Sequence, residues 1–122
     1  MTRIVVTGGA GRLGRSLVAG LADAGHEIVS LDREVSDAVE LTSRDAITQT
    51  AVDLADASAA SAAMVDARAD AVVHLAAIAV PFSAPEDVIL RTNATLALNT
   101  MSAAVAAGIP RVVTASSPTV LG

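Results

Sequence analysis

The sequence predicts an α/β fold in which a doubly wound parallel sheet lies between two layers of helices. Short apolar runs alternate with helical patterns until five strands are reached, which is the order typical of a parallel sheet. Hydrophobic residues make up 52% of the sequence, yet Phe82 is the single aromatic residue. Val, Leu, Ile and Ala must therefore fill the core, as they do in strands buried on both faces. A glycine-rich turn joins the first apolar run to the first helix, which is the context of an anion-binding turn.

Length and composition limit the classes of protein to consider. The 122 residues fit one domain, residues 1–122, and the net charge is −5. This charge argues against a surface that follows nucleic-acid phosphates. Without Cys there is no disulfide framework, thiolate nucleophile or cysteine metal site, and no apolar run approaches the roughly 18 residues that span a bilayer. The N-terminus does not resemble a signal peptide. We therefore expect a cytoplasmic protein without metal, nucleic-acid or membrane partners.

The glycine-rich turn covers residues 7–14 and follows the strand-like residues 4–6. Gly8 permits the turn off the strand, because glycine tolerates positive φ. Gly11 leaves room where the backbone must approach a diphosphate, and Gly14 lets the helix pack closely on the strand. Backbone N–H groups and the positive end of the helix dipole then face an anion. The alternative is a glycine-rich turn that binds nothing.

Local patterns predict the other elements in order. The first helix covers about residues 11–24, and residues 34–44 form a polar loop with room for one helical turn. An alanine-rich helix follows at residues 57–67, where helix propensity is high. A long helix begins near Pro85, a residue suited to the first helical position, and ends at Gly108. Strands are predicted at residues 4–6, 26–31, 47–52 and 110–117, and residues 70–77 contain the fourth strand and its exit.

Asp32 lies where a dinucleotide-binding fold discriminates between NAD and NADP, the two nicotinamide cofactors. It follows the second predicted strand, 18 residues after Gly14 (32 − 14), where a carboxylate can accept hydrogen bonds from both hydroxyls of an adenosine ribose. The same charge would repel a 2′-phosphate, so NAD is expected rather than NADP. Arg12 and Arg33 leave NADP open, because a guanidinium is well shaped to bind phosphate. A turn aspartate without a ligand is the other alternative.

The glycine spacing T-G-x-x-G-x-x-G, with Arg12 and Leu13 before its last glycine, resembles that of the short-chain dehydrogenase/reductase superfamily. The run TGGAGRLG is similar to the extended branch, the NAD-dependent epimerase/dehydratase family. The resemblance covers the whole chain and implies a Rossmann-type sheet, five strands of it here and incomplete at the C-terminus, from the cofactor-binding N-terminal portion of a longer enzyme. In this family Asp53 would accept a hydrogen bond from the adenine amine, and Leu54 would pack on the ring. Asp56 has the alternative role of capping the next helix.

Two further segments carry the same resemblance. The run H-L-A-A is similar to the fourth-strand signature of the family, in which small residues let the backbone at Leu75, Ala76 and Ala77 approach the cofactor. His74 has no second His, Cys or carboxylate at ligand spacing, so a structural role is expected for it. Asn93 matches an Asn that holds backbone and active-site water near the nicotinamide. An exposed helical Asn is the alternative.

The end of the chain resembles the family segment S-S-x-x-V-Y-G. By this match Ser117 is the catalytic hydroxyl that binds the reacting oxygen of the substrate, and Ser116 lies beside the cofactor. The proton-transfer pair of the family is a Tyr with a Lys four residues on, and this sequence contains neither residue type. A serine hydroxyl alone cannot transfer protons near neutral pH, so the isolated chain should be inactive. An unpaired fifth strand should also make the isolated chain unstable or self-associating.

Two classes of function follow from these observations. The first is an NAD(P)-dependent oxidoreductase, epimerase or dehydratase that moves hydride to and from nicotinamide. Its small-molecule substrate would be a sugar, a sugar nucleotide or a related alcohol. The second is a module that binds or senses the dinucleotide without turnover. The runs H-L-A-A-I-A-V-P and A-S-S-P-T-V-L-G are also similar to uronate and aldose dehydrogenases, but Ala79, Pro118 and Thr119 do not supply the particular polar side chains that contact sugar there. The substrate is left open, as is a homodimeric full-length form.

Overall fold

The computed structural model describes residues 2–78 and 83–115 of the chain. Its elements, in chain order, are β1 (Arg3–Thr7), α1 (Arg12–Asp23), β2 (Glu27–Asp32), α2 (Val39–Thr42), β3 (Ile47–Ala51), α3 (Ala57–Ala67), β4 (Ala71–His74), α4 (Glu86–Ala106) and β5 (Arg111–Thr114). The five strands pair in parallel in the order β3-β2-β1-β4-β5. The predicted doubly wound parallel sheet is confirmed.

Two apolar clusters cover the two faces of this sheet. On one face, Val5 and Val72 pack beneath α3 and α4, and on the other, Ile4 and Val6 pack beneath α1 and α2. Because adjacent residues of a strand point to opposite faces, β1 supplies side chains to both clusters. Its central place in the sheet leaves Val5 and Val6 with no exposed surface. Aliphatic side chains therefore fill both layers of the core, as the composition predicts.

Local interactions set both ends of helix α3. The side chain of Asp56 accepts hydrogen bonds from the N–H groups of Ser58 and Ala59, so this residue is the N-cap of α3. The helix ends at Ala67, and its C-cap Arg68 has φ of +48° in the left-handed region. Guanidinium Nη1 of Arg3 donates to the carbonyl oxygen of Ala67 and satisfies one acceptor at this helix end.

The observed boundaries differ from the predicted ones by a few residues, for local reasons. Helix α1 begins at Arg12, because Gly11 has extended backbone angles and is its N-cap. Strand β2 begins after His26, whose N–H closes the preceding helix by donating to Leu21. The polar stretch before β3 contains the short helix α2. Strand β4 ends at His74, so the three residues that follow lie beyond the end of the strand.

Candidate functional site

The residues singled out from the sequence gather at the edge of the sheet where the strands reach their C-terminal ends. In open parallel sheets, ligands bind in the crevice outside these ends. The residues that end or follow strands β1 to β4 are Gly8, Gly11, Arg12, Leu13, Gly14, Asp32, Arg33, Asp53, Leu54, Leu75, Ala76 and Ala77. Asn93 approaches the same edge from α4. The predicted site residues Ser116 and Ser117 lie outside the described residues.

The backbone of the glycine turn packs too closely for side chains at several positions. Gly8 has φ of +72°, and a Cβ there would lie 2.8 Å from the backbone nitrogen of Ala76. A Cβ on Gly14 would collide with the carbonyl oxygen of Gly8, because the first turn of α1 lies directly on the turn. The turn off the strand and the close approach of the helix therefore both depend on glycine.

Gly9 is not among the residues that the sequence motif singles out, yet it is as constrained as its neighbours. A Cβ at this position would collide with Oγ of Ser30 and would lie 2.9 Å from the Cβ of Ser30 and 3.3 Å from Val18. Ser30 is buried opposite Val6 in β2. The signal that could have revealed this contact is a small polar residue in the middle of an otherwise apolar strand.

The N-terminus of α1 is left open toward the edge of the sheet. Its N-cap is Gly11, which has no side chain to accept a hydrogen bond, and its first turn contains no acidic residue. By contrast, Asp56 caps α3, and α4 has Glu86 and Asp87 in its first turn. The first N–H groups of α1 therefore have no acceptor within the described residues. Arg12 adds a positive charge at the positive end of the helix dipole, so an anion bound there would be favoured by both.

The carboxylate of Asp32 is tied to the glycine turn. Its Oδ2 accepts a hydrogen bond from the N–H of Ala10 at 3.0 Å, and its Oδ1 accepts one from the N–H of Arg33 at 2.7 Å. Each carboxylate oxygen has a second lone pair, so the half-buried group can accept further hydrogen bonds from a ligand. The negative charge therefore stands at the end of β2, next to the open helix terminus.

Thr7 and His74 form a buried pair beneath this edge. Oγ1 of Thr7 lies 2.7 Å from Nδ1 of His74 and accepts the N–H groups of Leu75 at 3.0 Å and Ala76 at 3.2 Å. A hydroxyl has one proton and two lone pairs, so this proton goes to Nδ1 and the neutral imidazole carries its own proton on Nε2. Burial lowers the pKa of His74, which favours the same neutral form.

His74 therefore helps to hold the end of β4, which agrees with the structural role expected for it. Within residues 2–78 and 83–115, no cluster of three His, Cys, Asp or Glu side chains could hold a metal ion. No helix in these same ranges combines the length and apolar character needed to cross a lipid bilayer.

The segment after β3 is held by hydrogen bonds along its length. Oδ1 of Asp53 accepts the N–H of Ala55 at 3.0 Å, and the carbonyl oxygen of Leu54 accepts Nδ2 of Asn99 at 2.9 Å. The side chain of Leu54 is 3% exposed and packs in the core under α3 and α4. Little of its surface is therefore available for the predicted packing on an adenine ring. Asp53, by contrast, is exposed.

Asn93 binds both polar groups of one backbone residue. Its Oδ1 accepts the N–H of Ile78 at 2.7 Å, and its Nδ2 donates to the carbonyl oxygen of Ile78 at 3.2 Å. The side chain is half-buried on α4. Asn93 is thus not an exposed helical residue. Its amide fastens the chain that leaves β4.

The remaining site residues differ in exposure. Leu13 is 67% exposed, and Ala77 is exposed, while Leu75 and Ala76 are half-buried against the two core clusters. The exposed guanidinium groups of Arg12 and Arg33 make no hydrogen bond or ion pair with other described residues. Two cations at the end of β2 and the start of α1 are therefore free to meet a ligand.

An open parallel sheet whose first turn leaves a helix N-terminus free for an anion has the architecture of Rossmann-type dinucleotide-binding proteins. Comparison with known proteins supplies the family. The NAD dependent epimerase/dehydratase family matches residues 4–122, and the chain belongs to this family. The family predicted from the glycine spacing is confirmed.

Known relatives extend beyond the region shared with this chain. A UDP-glucose 4-epimerase from Azospirillum brasilense is 34% identical in an alignment of 122 residues that covers 98% of this chain and 35% of the relative. The crystal structure of a UDP-glucose-4-epimerase from Stenotrophomonas maltophila, with bound NAD and formylated UDP-arabinopyranose, has a TM-score of 0.86 at 28% identity and covers 100% of this chain and 39% of that one. A uronate dehydrogenase from Agrobacterium tumefaciens has a TM-score of 0.78 at 36% identity, covering 96% of this chain and 41% of that one. The chain thus spans less than half the length of these relatives.

Proposed function

We propose that the protein binds NAD along the described edge and is an NAD-dependent epimerase, dehydratase or oxidoreductase that acts on a sugar, a sugar nucleotide or a related alcohol. One observation carries the proposal. The N-terminus of α1 has no capping side chain and no acidic residue in its first turn, so its first N–H groups are available to an anion. The similar epimerase structure with bound NAD and a UDP-sugar supports the same cofactor and substrate class.

The described residues fit the adenosine half and the diphosphate of this cofactor. A Cβ on Gly11 would meet just one atom, the carbonyl oxygen of Gly8 at 3.4 Å, so the space in front of the turn is open to a diphosphate. Asp32 would accept hydrogen bonds from the ribose hydroxyls, and Asp53 from the adenine amine. The backbone after β4, fastened by Asn93, would lie along the nicotinamide half.

The chemistry requires more than cofactor binding. Bound NAD would supply the hydride acceptor and donor. Ser117 would hydrogen-bond the reacting oxygen of the substrate, and Ser116 would lie beside the cofactor. Proton transfer needs a group whose pKa is closer to neutral than that of a serine hydroxyl. We assign this step to a residue of the full-length protein outside the 122 residues, so the isolated chain should bind NAD without turnover.

Replacing Gly11 tests the diphosphate site. Gly11→Val should weaken NAD binding by at least about 100-fold, because the side chain would fill the space in front of the turn. Gly11 has φ of −73° and ψ of 174°, which valine adopts readily, so the circular dichroism spectrum should stay unchanged. The matched control is Gly20→Val on the same helix, where a Cβ has no heavy atom within 4 Å. Calorimetric titration of the full-length protein gives the affinities, and equal affinity in the two variants would contradict the site.

Titration with both cofactors tests the role of Asp32. NAD should bind more tightly than NADP, because the carboxylate would lie next to the 2′-phosphate. Asp32→Asn should reduce this preference by removing the charge while keeping an acceptor for the N–H of Ala10. Tighter binding of NADP by the unaltered protein would show that Arg12 and Arg33 outweigh Asp32.

A further inference from the structure

Helix α4 is connected to the segment after β3 by one hydrogen bond whose effect extends to Asp53. Nδ2 of Asn99 donates to the carbonyl oxygen of Leu54 at 2.9 Å. The N–H of the same peptide group belongs to Ala55 and donates to Oδ1 of Asp53 at 3.0 Å. A trans peptide is planar, and its carbonyl and N–H point in opposite directions. Holding the carbonyl toward α4 therefore aims the N–H at the carboxylate of Asp53.

The neighbouring groups of Leu54 and Asp53 are held by other contacts, so the Leu54–Ala55 peptide is the group that Asn99 orients. The side chain of Leu54 is buried under α3 and α4, and the backbone oxygen of Asp53 accepts the N–H of Asp56, which caps α3. Oδ1 of Asp53 already accepts the N–H of Ala55, whereas Oδ2 is left with both lone pairs for a ligand. It makes no hydrogen bond within the described part of the chain.

We propose that Asn99 is a positioning residue for the adenine base. It orients the carboxylate of Asp53 through the Leu54–Ala55 peptide, so that Oδ2 accepts a hydrogen bond from the 6-amino group. This inference rests on the proposed function, because it takes Asp53 to face the adenine. Two amides of α4 then serve two loops of the site, since Asn93 fastens the exit of β4 and Asn99 the exit of β3.

The test compares NAD with an NAD analogue whose base lacks the 6-amino group, by calorimetry on the full-length protein. The unaltered protein should prefer NAD by roughly tenfold, as expected for one hydrogen bond to a charged acceptor. Asn99→Asp has nearly the same shape but places a carboxylate against the carbonyl of Leu54, so the preference should fall to about twofold or less. Asn99→Leu gives the same loss without the repulsion, should Asn99→Asp fail to fold. Ser102→Ala, which changes a side chain of the same groove between α3 and α4, should keep the full preference.

The ratio of the two affinities separates positioning from stability. A residue that merely stabilises the fold would weaken both ligands equally, so an unchanged ratio in the Asn99 variants would overturn the proposal while NAD binding persisted. A ratio near one in the unaltered protein would also overturn it, by removing the contact of Asp53 with the amine. Absence of NAD binding in the unaltered protein would instead contradict the proposed function itself. In an Asp53→Ala background, Asn99→Leu should change the ratio no further, and a further change would show that Asn99 acts by another route.

Discussion

Strands β1 and β5 have almost the same sequence and opposite environments. β1 reads Arg-Ile-Val-Val-Thr from Arg3 to Thr7, and β5 reads Arg-Val-Val-Thr from Arg111 to Thr114. Every residue of β1 after Arg3 is buried, and every residue of β5 is exposed. β1 lies between two strands at the centre of the sheet, whereas β5 is the outermost strand and pairs with β4 alone among the described strands. The position of a strand in the sheet, rather than its own sequence, decides its burial.

The same difference separates the last residues of the two strands. Thr7 and Thr114 stand in register on either side of His74. Thr7 directs its hydroxyl to Nδ1 of His74 and accepts the N–H groups of Leu75 and Ala76, while Thr114 is exposed. One threonine therefore helps to shape the candidate site, and the other lies at the surface.

The largest expected effect distinguishes these two threonines. Thr7→Val should reduce the free energy of unfolding by about 3 kcal/mol, because Nδ1 of His74 and the N–H of Ala76 would be left without their partner. Thr114→Val should change it by less than about 0.5 kcal/mol, as is usual for an exposed side chain. Urea unfolding followed by circular dichroism measures both values.

Thr7→Ser is the conservative control for this pair. It keeps the hydroxyl and should recover most of the stability that Thr7→Val loses, apart from the contribution of one methyl group. Equal costs for Thr7→Val and Thr114→Val would mean that the hydroxyl of Thr7 contributes little, and that backbone pairing alone holds the end of β4.

The sequence predicted the helices and strands of this fold more accurately than the burial of individual residues. Alanine-rich residues 57–67 form α3 as predicted, because helix propensity and the capping Asp56 are local signals. The alternation of strands and helices can also be read from local signals, and it predicted the parallel sheet. By contrast, the burial of Leu54 depends on α3 and α4 packing over it. The sequence places Leu54 next to Asp53, but not beneath two helices.

The site shows the same division between local and tertiary signals. Gly8 and Gly14 are recognisable from their spacing, since the turn they form lies within eight residues. The constraint on Gly9 comes from Ser30 in the neighbouring strand. The role proposed for Asn99 rests on a contact across 45 residues. A local pattern can mark one partner of such a contact, as the small polar Ser30 does within its strand, but the contact itself follows from the packing of one element on another.

Substituting valines of β1 and β5 should change the free energy of unfolding by a smaller amount. Val6 and Val113 are aligned across β4 through Val73, but their exposed fractions are 0% and 60%. Val6→Ala should lower the free energy of unfolding by about 2 kcal/mol, because it removes buried methyl groups and leaves a cavity. Val113→Ala should lower it by less than about 0.5 kcal/mol. The measurement is urea unfolding of the 122-residue chain at low protein concentration.

Protein concentration matters here, because an exposed apolar edge strand is a template for pairing with a second chain. Size-exclusion chromatography shows whether the chain is monomeric under the conditions of the measurement. If Val113→Ala proved as costly as Val6→Ala in a monomer, β5 would be covered, and its contrast with β1 would be wrong. A cost that rose with protein concentration would instead locate the self-association at β5.

The smallest expected effect concerns the pH dependence of stability at His74, which stands between the two threonines. Burial lowers the pKa of His74 in the folded protein, whereas the usual value is 6.5, so the unfolded chain binds a proton more readily. The stabilisation that comes with neutral His74 is therefore fully present above pH 6.5 and is lost as the pH falls from 6.5 toward the lowered pKa. We expect the free energy of unfolding to decrease as the pH falls below 6.5.

His74→Gln isolates this contribution, because a glutamine amide can accept the hydrogen bond from Thr7 but does not titrate. Its free energy of unfolding should stay nearly constant over the interval in which that of the unaltered chain decreases. Asp23 does not interfere, because its hydrogen bond with Arg44 lowers the pKa of its carboxyl below the usual 3.8, outside the interval. If the decrease persisted unchanged in His74→Gln, another group would be its cause. Burial next to Thr7 would then no longer explain how the end of β4 responds to pH, and the contrast between the two threonines would rest on their hydrogen bonds alone.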